Sequence, residues 1–469
     1  MTVVIPDESP GIPGLFTWTV ACICSKFPLS LNTVSYLLKE AIRVQLRIQD
    51  GVTVDLLPSK QFKTIGIKVD FVTPLKATAI TARALLAQVL ETSTAAYPTQ
   101  TALARQLSAM YGANFGITVL KIGTQHIVRL TCSVVDDKYL DAYDDQQPLF
   151  ERGMALLRSV LFAPLLPGGH FDPTTFTQQR QNLLTAIKSL DDDKQYLANR
   201  RLQELLFAGQ PTQAMSALGD LTTLGDLTAT DILATYHDML AHDAVHLAVI
   251  GDVTPDRVQA ALQDWPLTGR KPADQTPYYH WDAKDQVQVG DDVAPVVQAK
   301  LNLAYRLPVY RNDADFMAAV VFNAVFGGTP LSLLFTNVRE KASLAYYASS
   351  SYNPYTGTMG VQTGIQAENQ ARVQEIVQAQ ITDLQAGKLD ANLLAEIKAS
   401  LLNARLSGLD SPNRLLSERL NAQLTNVTMT VTAWEEALAA VTVADVQRVA
   451  RRVTLQATYC LHGGEVHAE

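Results

Sequence analysis

Two periods run through this chain. Residues 64–72 (TIGIKVDFV) alternate apolar and polar side chains, as a half-buried strand does. Residues 80–90 then carry a dense apolar face at helical spacing. A second helix is predicted over 101–110, with strands at 115–119 and 127–134. Helical patterns follow around 147–161, 173–190, 195–208, 228–240 and 255–264, and a strand at 245–250 ends on Gly251-Asp252. Residues 266–295 are polar and proline-containing, and read as a linker that partly pairs with a sheet. The order then repeats. A strand is predicted at 299–307, helices at 313–326 and 331–341, and strands at 344–352 and 357–365. Helices over 369–386, 390–407, 411–421 and 431–452 and a strand near 455–461 complete the pattern.

The halves superpose with a constant offset of 235, which sets Tyr111 on Tyr346. This period is far longer than a solenoid repeat and implies two homologous α+β domains. Each is expected to be a mixed or antiparallel sheet with helices packed on one face. The expected division is an irregular arm over 1–30, a first domain over 31–265, a linker over 266–295 and a second domain over 296–469.

Composition narrows the class. Hydrophobic residues make up 47% and charged residues 18%, which is globular. A net charge of −8 argues against a general nucleic-acid binder, which needs a basic face. Cys22, Cys24, Cys132 and Cys460 form no zinc knuckle and read as thiols of a reducing, cytoplasmic compartment. The apolar run 15–25 is too short to span a bilayer and has no basic residue ahead of it, so a soluble protein is expected.

The order and spacing of several short segments resemble the pitrilysin/insulinase family, the inverzincins, over roughly residues 35–465. In the first half these are Thr94-x-x-Tyr97-Pro98-Thr99, Ala217-Leu218-Gly219 and Val249-Ile250-Gly251-Asp252-Val253. In the second they are Phe326-Gly327-Gly328-Thr329-Pro330, Leu334-Phe335 and the run from Val338-Arg339-Glu340 to Ala345-Tyr346. The resemblance implies a LuxS/MPP-like metallohydrolase fold. Active members carry His-x-x-Glu-His on the first long helix, with a third zinc ligand, a glutamate, on a later helix.

Here that stretch is Ala84-Leu85-Leu86-Ala87-Gln88, anchored by Thr94 and Tyr97-Pro98. Alanine neither ligates a metal nor takes a proton, and an amide is a poor zinc ligand. No histidine precedes His126, and no acidic residue lies between 173 and 190, where Thr185 and Ala186 stand at the third-ligand position. No metal or other cofactor is therefore expected in this chain. The family's second domain supplies an arginine and a tyrosine seven residues apart that hold the peptide and help stabilise the oxyanion, and Arg339 and Tyr346 match them. At the same offset the first half has Tyr111 but Ala104, with Arg105 one place late.

The resemblance implies a non-catalytic, substrate-binding subunit of a heterodimeric zinc metallopeptidase, with zinc only in a His-x-x-Glu-His partner and a peptide as substrate. The alternatives are a structural or assembly protein and a homodimeric peptide-binding protein. Other constellations are weak. His237, His242 and His246 straddle a helix end and a strand, and the segment from His462-Gly463 to His467 is one residue too long for the family motif. Asp191-Asp192-Asp193 reads as a solvated run, and Gly327-Gly328 as a turn between helices without the Gly-Lys-Ser/Thr of a phosphate loop. Neither a Gly-x-Ser-x-Gly elbow nor a dinucleotide fingerprint is present.

Overall fold

The computed structural model describes residues 44–140 and 147–463. The expected arm over 1–30, Cys22, Cys24 and most of the 462–467 segment lie outside the described residues.

Among the described residues there are eleven strands: β1 Val44–Gln49, β2 Val52–Pro58, β3 Thr64–Pro74, β4 Asn114–Ile122, β5 Gln125–Val135, β6 Ala244–Gly251, β7 Gln288–Val293, β8 Ala299–Arg306, β9 Ala345–Asn353, β10 Thr358–Ile365 and β11 Thr454–His462. The first-half helices are α1 Ala77–Leu90, α2 Gln100–Ala109, α3 Leu149–Phe162, α4 Pro173–Ser189, α5 Lys194–Leu206, α6 Pro211–Ala214, α7 Leu221–Asp226, α8 Ala229–His242 and α9 Pro255–Leu262. The second-half helices are α10 Phe316–Asn323, α11 Gln370–Gln385, α12 Ala391–Gly408, α13 Pro412–Thr425, α14 Val431–Ala440 and α15 Val443–Ala450.

Two sheets organise these elements. Their orders are β1-β2-β6-β3-β5-β4 and β7-β11-β8-β10-β9. From β2 and from β7 onward the two orders are equivalent, and both β2–β6 and β7–β11 are parallel pairs in otherwise antiparallel sheets. The alternation locates the central strands but not their burial: β3, expected half-buried, is buried on both faces, Lys68 and Asp70 included, and β8 is buried on both faces too. Ile67, Val69 and Phe71 of β3 enter the first core, and Leu301, Leu303 and Tyr305 of β8 enter the second.

The intervening positions carry a feature that periodicity does not announce. Helix α5 of the first half lies on the second sheet, where Ala198, Leu202 and Leu206 meet Ala304, Ala457 and Tyr459. Helix α13 of the second half lies on the first sheet, where Leu420 and Leu424 meet Val72, Ile127 and Ala244. Each sheet thus has its own helices on one face and a helix from the other half on the opposite face. Polar pairs fix both crossings. Lys68 donates to the Asn413 carbonyl and to Ser417 Oγ, each at 2.8 Å. Gln195 meets Asn302 and receives the Tyr347 hydroxyl. Lys68 and Lys300 hold equivalent places, 232 positions apart.

That register corrects the offset of 235 at the strands. The left-handed turn before β4 falls on Tyr111 and Gly112, and the one before β9 on Ser343. Tyr111 is therefore a turn residue, and the strand residue Tyr346 is not its counterpart.

Three further differences have local causes. The β1–β2 hairpin turns on Asp50-Gly51, with Gly51 at φ +73°, a strong hairpin signal in an unpredicted region. The helix expected over 431–452 is two helices, because Thr442 and Asp445 form a capping box that starts α15 afresh. Gly327 and Gly328 close a π-helical turn continuing α10 and are not a loop between helices. The linker is extended but anchored. Gly123, at φ +54°, packs so closely on the Pro277 carbonyl that a Cβ there would lie 1.7 Å from its oxygen. Further along, Tyr279 N–H bonds Tyr355 O and Trp281 Nε1 bonds Thr356 O. Among the described residues no helix is long and apolar enough to cross a membrane.

Candidate functional site

Helix α1 is buried along most of its length. Ala84 and Ala87 are each 2% exposed and pack in the first core. Gln88 is half-buried, and its Oε1 is enclosed without a hydrogen-bond donor among the described residues. The carboxylate just beyond, Glu91, accepts the Ile117 N–H at 3.3 Å, and burial raises its pKa. Helix α4 packs against α1 and turns Phe176, Gln179 and Leu183 inward. Thr185 is exposed and its hydroxyl bonds back to Gln181 O, so it does not face α1. A zinc ion would find methyl groups and one amide here, and the residues present do not fit it. Among the described residues no group of three histidine, cysteine or acidic side chains is placed to hold a metal. His242 pairs with Asp238, whereas His246 lies between Thr53 Oγ1 and Gln275 Oε1, so these histidines do not converge.

One turn of α1 carries a charge that sequence reasoning passed over. Arg83, 3% exposed, pairs with Asp243 at 2.7 Å and donates to Phe71 O. It also donates from Nε to His126 Nδ1 at 3.1 Å. An arginine is always a donor, so Nδ1 accepts and the His126 proton sits on Nε2, which donates to Ala217 O at 3.0 Å. Burial, assisted by the Arg83 charge, pushes the His126 pKa down to about 4, so the ring is neutral. The signal in the sequence was a lone arginine in the apolar run Ile80–Leu90.

The same network seats the Ala217-Leu218-Gly219 segment. Lys121 Nζ donates to the carbonyls of Thr212, Gln213 and Met215 at 3.3, 2.6 and 2.9 Å. Gly219, at φ +83°, lies against Thr81 of α1, where a Cβ would come within 2.0 Å of the threonine hydroxyl. Asp220 N–H bonds that hydroxyl at 3.2 Å. The glycine is required by this close approach as well as by its backbone angle.

The second candidate pair sits at the entry to β9, an edge strand of the second sheet. Arg339 lies on a π-helical turn, Phe335–Lys341, ended by Ser343 at φ +54°. Such turns re-aim side chains and recur at functional sites. Buried Leu334 and Val338 fix its inner face, and Asn337 ties it to α11 through Gln380 at 2.8 Å. Arg339 is exposed and its guanidinium stacks 4.6 Å from the Phe335 ring centre. Among the described residues no ion pair engages it. Tyr346 is 63% exposed at an irregularity between β9 and β10, and its hydroxyl accepts a long 3.4 Å contact from Gln366. Both side chains are exposed, Arg339 before β9 and Tyr346 within it. No hydrogen bond or ion pair among the described residues joins either of them to Ala84, Ala87, Gln88 or Thr185.

Comparison with known proteins shows the family and the fold. Residues 226–401 match the family model described as the peptidase M16 inactive domain. The chain is 31% identical over 415 residues to a probable inactive metalloprotease, YmfF, of Bacillus subtilis (strain 168), covering 88% of this chain and 96% of the relative. A conserved protein from Enterococcus faecalis V583 superposes with a TM-score of 0.85 at 34% identity, over 90% of this chain and 99% of that one. A protease from Helicobacter pylori shares the fold, with a TM-score of 0.74 at 17% identity over 90% and 99% of the two chains. The chain belongs to the M16 peptidase family, as an inactive homologue of its peptidases.

Proposed function

We propose that this protein is the substrate-handling subunit of a two-chain zinc peptidase of the cytoplasm. Its own first half makes no activated water. A homologous partner carrying His-x-x-Glu-His supplies the zinc, and this chain supplies Arg339 and Tyr346. The observation carrying the reading is the contrast between the two sites. Of the positions that would hold zinc, Ala84 and Ala87 are methyl groups packed in the core, Gln88 is a half-buried amide and Thr185 is exposed. Arg339 and Tyr346 keep the right types and spacing and are left exposed. An exposed guanidinium just before an edge strand and an exposed phenol on that strand suit an extended peptide. The edge supplies backbone hydrogen bonds, and the two side chains donate to a carbonyl oxygen as it gains charge.

The test is reconstitution. The purified chain is mixed with its His-x-x-Glu-His homologue from the same organism and assayed on unfolded peptides. Activity appears only in the mixture, and Arg339→Ala or Tyr346→Phe lowers it about 10²–10³-fold, the usual loss for one oxyanion donor. Full activity with both variants, or cleavage by the isolated chain, refutes the reading.

A further inference from the structure

The two sheet orders end on equivalent edge strands, β4 in the first and β9 in the second. Among the described residues no strand covers either edge. A strand bonded on one side turns the N–H and C=O groups of alternate residues outward, where an extended peptide can pair with them. β4 and β5 form a hairpin through Gly123-Thr124, with Ile122 opposite Gln125. Counting back along this ladder, Ile117 and Leu130 fall in a pair that exchanges no backbone bond. The N–H of Ile117 therefore points out of the sheet, with those of Phe115 and Val119 on either side.

On β4 that outward N–H is already taken. Glu91 ends α1, with its own N–H bonded to Ala87 O at 3.2 Å. Its side chain reaches the strand edge, where Oε2 accepts the Ile117 N–H at 3.3 Å. The second oxygen lies by Gly116, 3.7 Å from where a Cβ would stand there. Just beyond the helix Ala95 N–H bonds Ala163 O at 2.9 Å, which holds the end of α1 in place. An incoming strand must set a carbonyl oxygen at the Ile117 N–H, and the Glu91 oxygen stands there first. A charged side chain turned in on an edge strand is one of the ways proteins prevent strand addition. β9 differs: among the described residues no carboxylate is bonded to its backbone.

We propose that Glu91 closes the β4 edge to extended peptides, a latent binding edge that opens when this side chain is withdrawn. Its occupant is an extended peptide that aligns a carbonyl with the Ile117 N–H, so recognition there is by backbone groups. The closure has a functional sense. Glu91 belongs to the helix whose Ala84, Ala87 and Gln88 cannot hold a metal, and a peptide laid on β4 would lie beside a helix with no means of cutting it. Glu91 thus removes an unproductive binding mode. The proposal does not rest on the peptidase-subunit reading, because it concerns β4 alone, whatever β9 binds.

Hydrogen exchange of the full chain, with and without a short uncharged peptide of alternating threonine and valine, tests it. In the unaltered protein the peptide leaves exchange in residues 114–122 unchanged. In Glu91→Ala, with an unchanged circular dichroism spectrum, the peptide slows exchange in that segment about tenfold or more. Glu91→Gln keeps an acceptor for the Ile117 N–H, so its edge stays closed. Slowed exchange of 114–122 in the unaltered protein overturns the proposal. So does a folded Glu91→Ala protein whose 114–122 segment ignores the peptide, or a Glu91→Gln protein that opens as fully as Glu91→Ala.

Discussion

Arg83 donates a hydrogen bond from Nε to Nδ1 of His126 at 3.1 Å, one residue before the first of the lost zinc-ligand positions on α1. The bond fixes a neutral imidazole in a buried site and links the helix to the Ala217 carbonyl. The helix that would have been catalytic is instead held by a structural charge network.

Acid should weaken this network. The folded pKa of His126, pushed down to about 4, lies below its unfolded value near 6.5. Between those values the unfolded chain binds more protons, so stability rises with pH through this window and is lost as pH falls from 6.5 toward 4. The contribution is on the order of 3 kcal/mol. Denaturant unfolding of the protein and of His126→Gln at pH 7 and pH 4.5 checks it. The variant should lose part of the acid-side slope, and equal slopes would contradict the assignment.

Arg83→Met should destabilise by about 3–5 kcal/mol, because it leaves the Asp243 carboxylate buried without its counter-charge. Adding Asp243→Asn should recover part of that loss. Urea midpoints of the single and double variants decide the point. Additive losses would show that the two groups are not coupled.

Rebuilding the motif as Ala84→His, Ala87→Glu and Gln88→His should neither bind zinc nor be tolerated. Two of the three sites are 2% exposed, so larger polar groups must displace packed neighbours, at a cost of about 1–3 kcal/mol or more each. Helix α4 presents Phe176, Gln179 and Leu183 and no carboxylate. Metal analysis should find less than stoichiometric zinc, together with a lowered melting temperature.

The exchanged helices predict one cooperative unfolding transition. Leu420 on α13 is 2% exposed and packs with Val72, Ile127 and Ala244 of the other half. Leu420→Ala should cost about 2–5 kcal/mol and lower the midpoint of the whole molecule. Fluorescence and circular dichroism melts should shift together. Two separate transitions would mean that the halves fold independently.

Arg339→Ala and Tyr346→Phe should leave stability within about 0.5 kcal/mol, since both side chains are exposed and lightly bonded. A larger fall in melting temperature would make them structural and would undercut their use as functional probes.

Much of the framework was legible before the fold was known. The alternation in 64–72 and 299–307 placed both central strands, because strand side chains repeat every two residues, but it did not show that both faces are buried. Element ends were less legible where a cap overrode periodicity. Thr442 stops one helix and starts another although the apolar pattern runs on. The constant offset missed the unequal loops, and backbone angles at Tyr111 and Ser343 were needed to correct it.

Local pattern and residue chemistry were enough for the two-sheet framework and for the lack of metal-binding groups at Ala84 and Ala87. A period of two marks a strand, and an alanine has no donor wherever it lies. The fold alone shows that α5 and α13 cross to the opposite sheets, that both faces of β3 are covered, and that Arg83 meets His126 and Asp243. Those outcomes depend on contacts between residues far apart in the chain, and local pattern carries no record of which distant surface a face will meet.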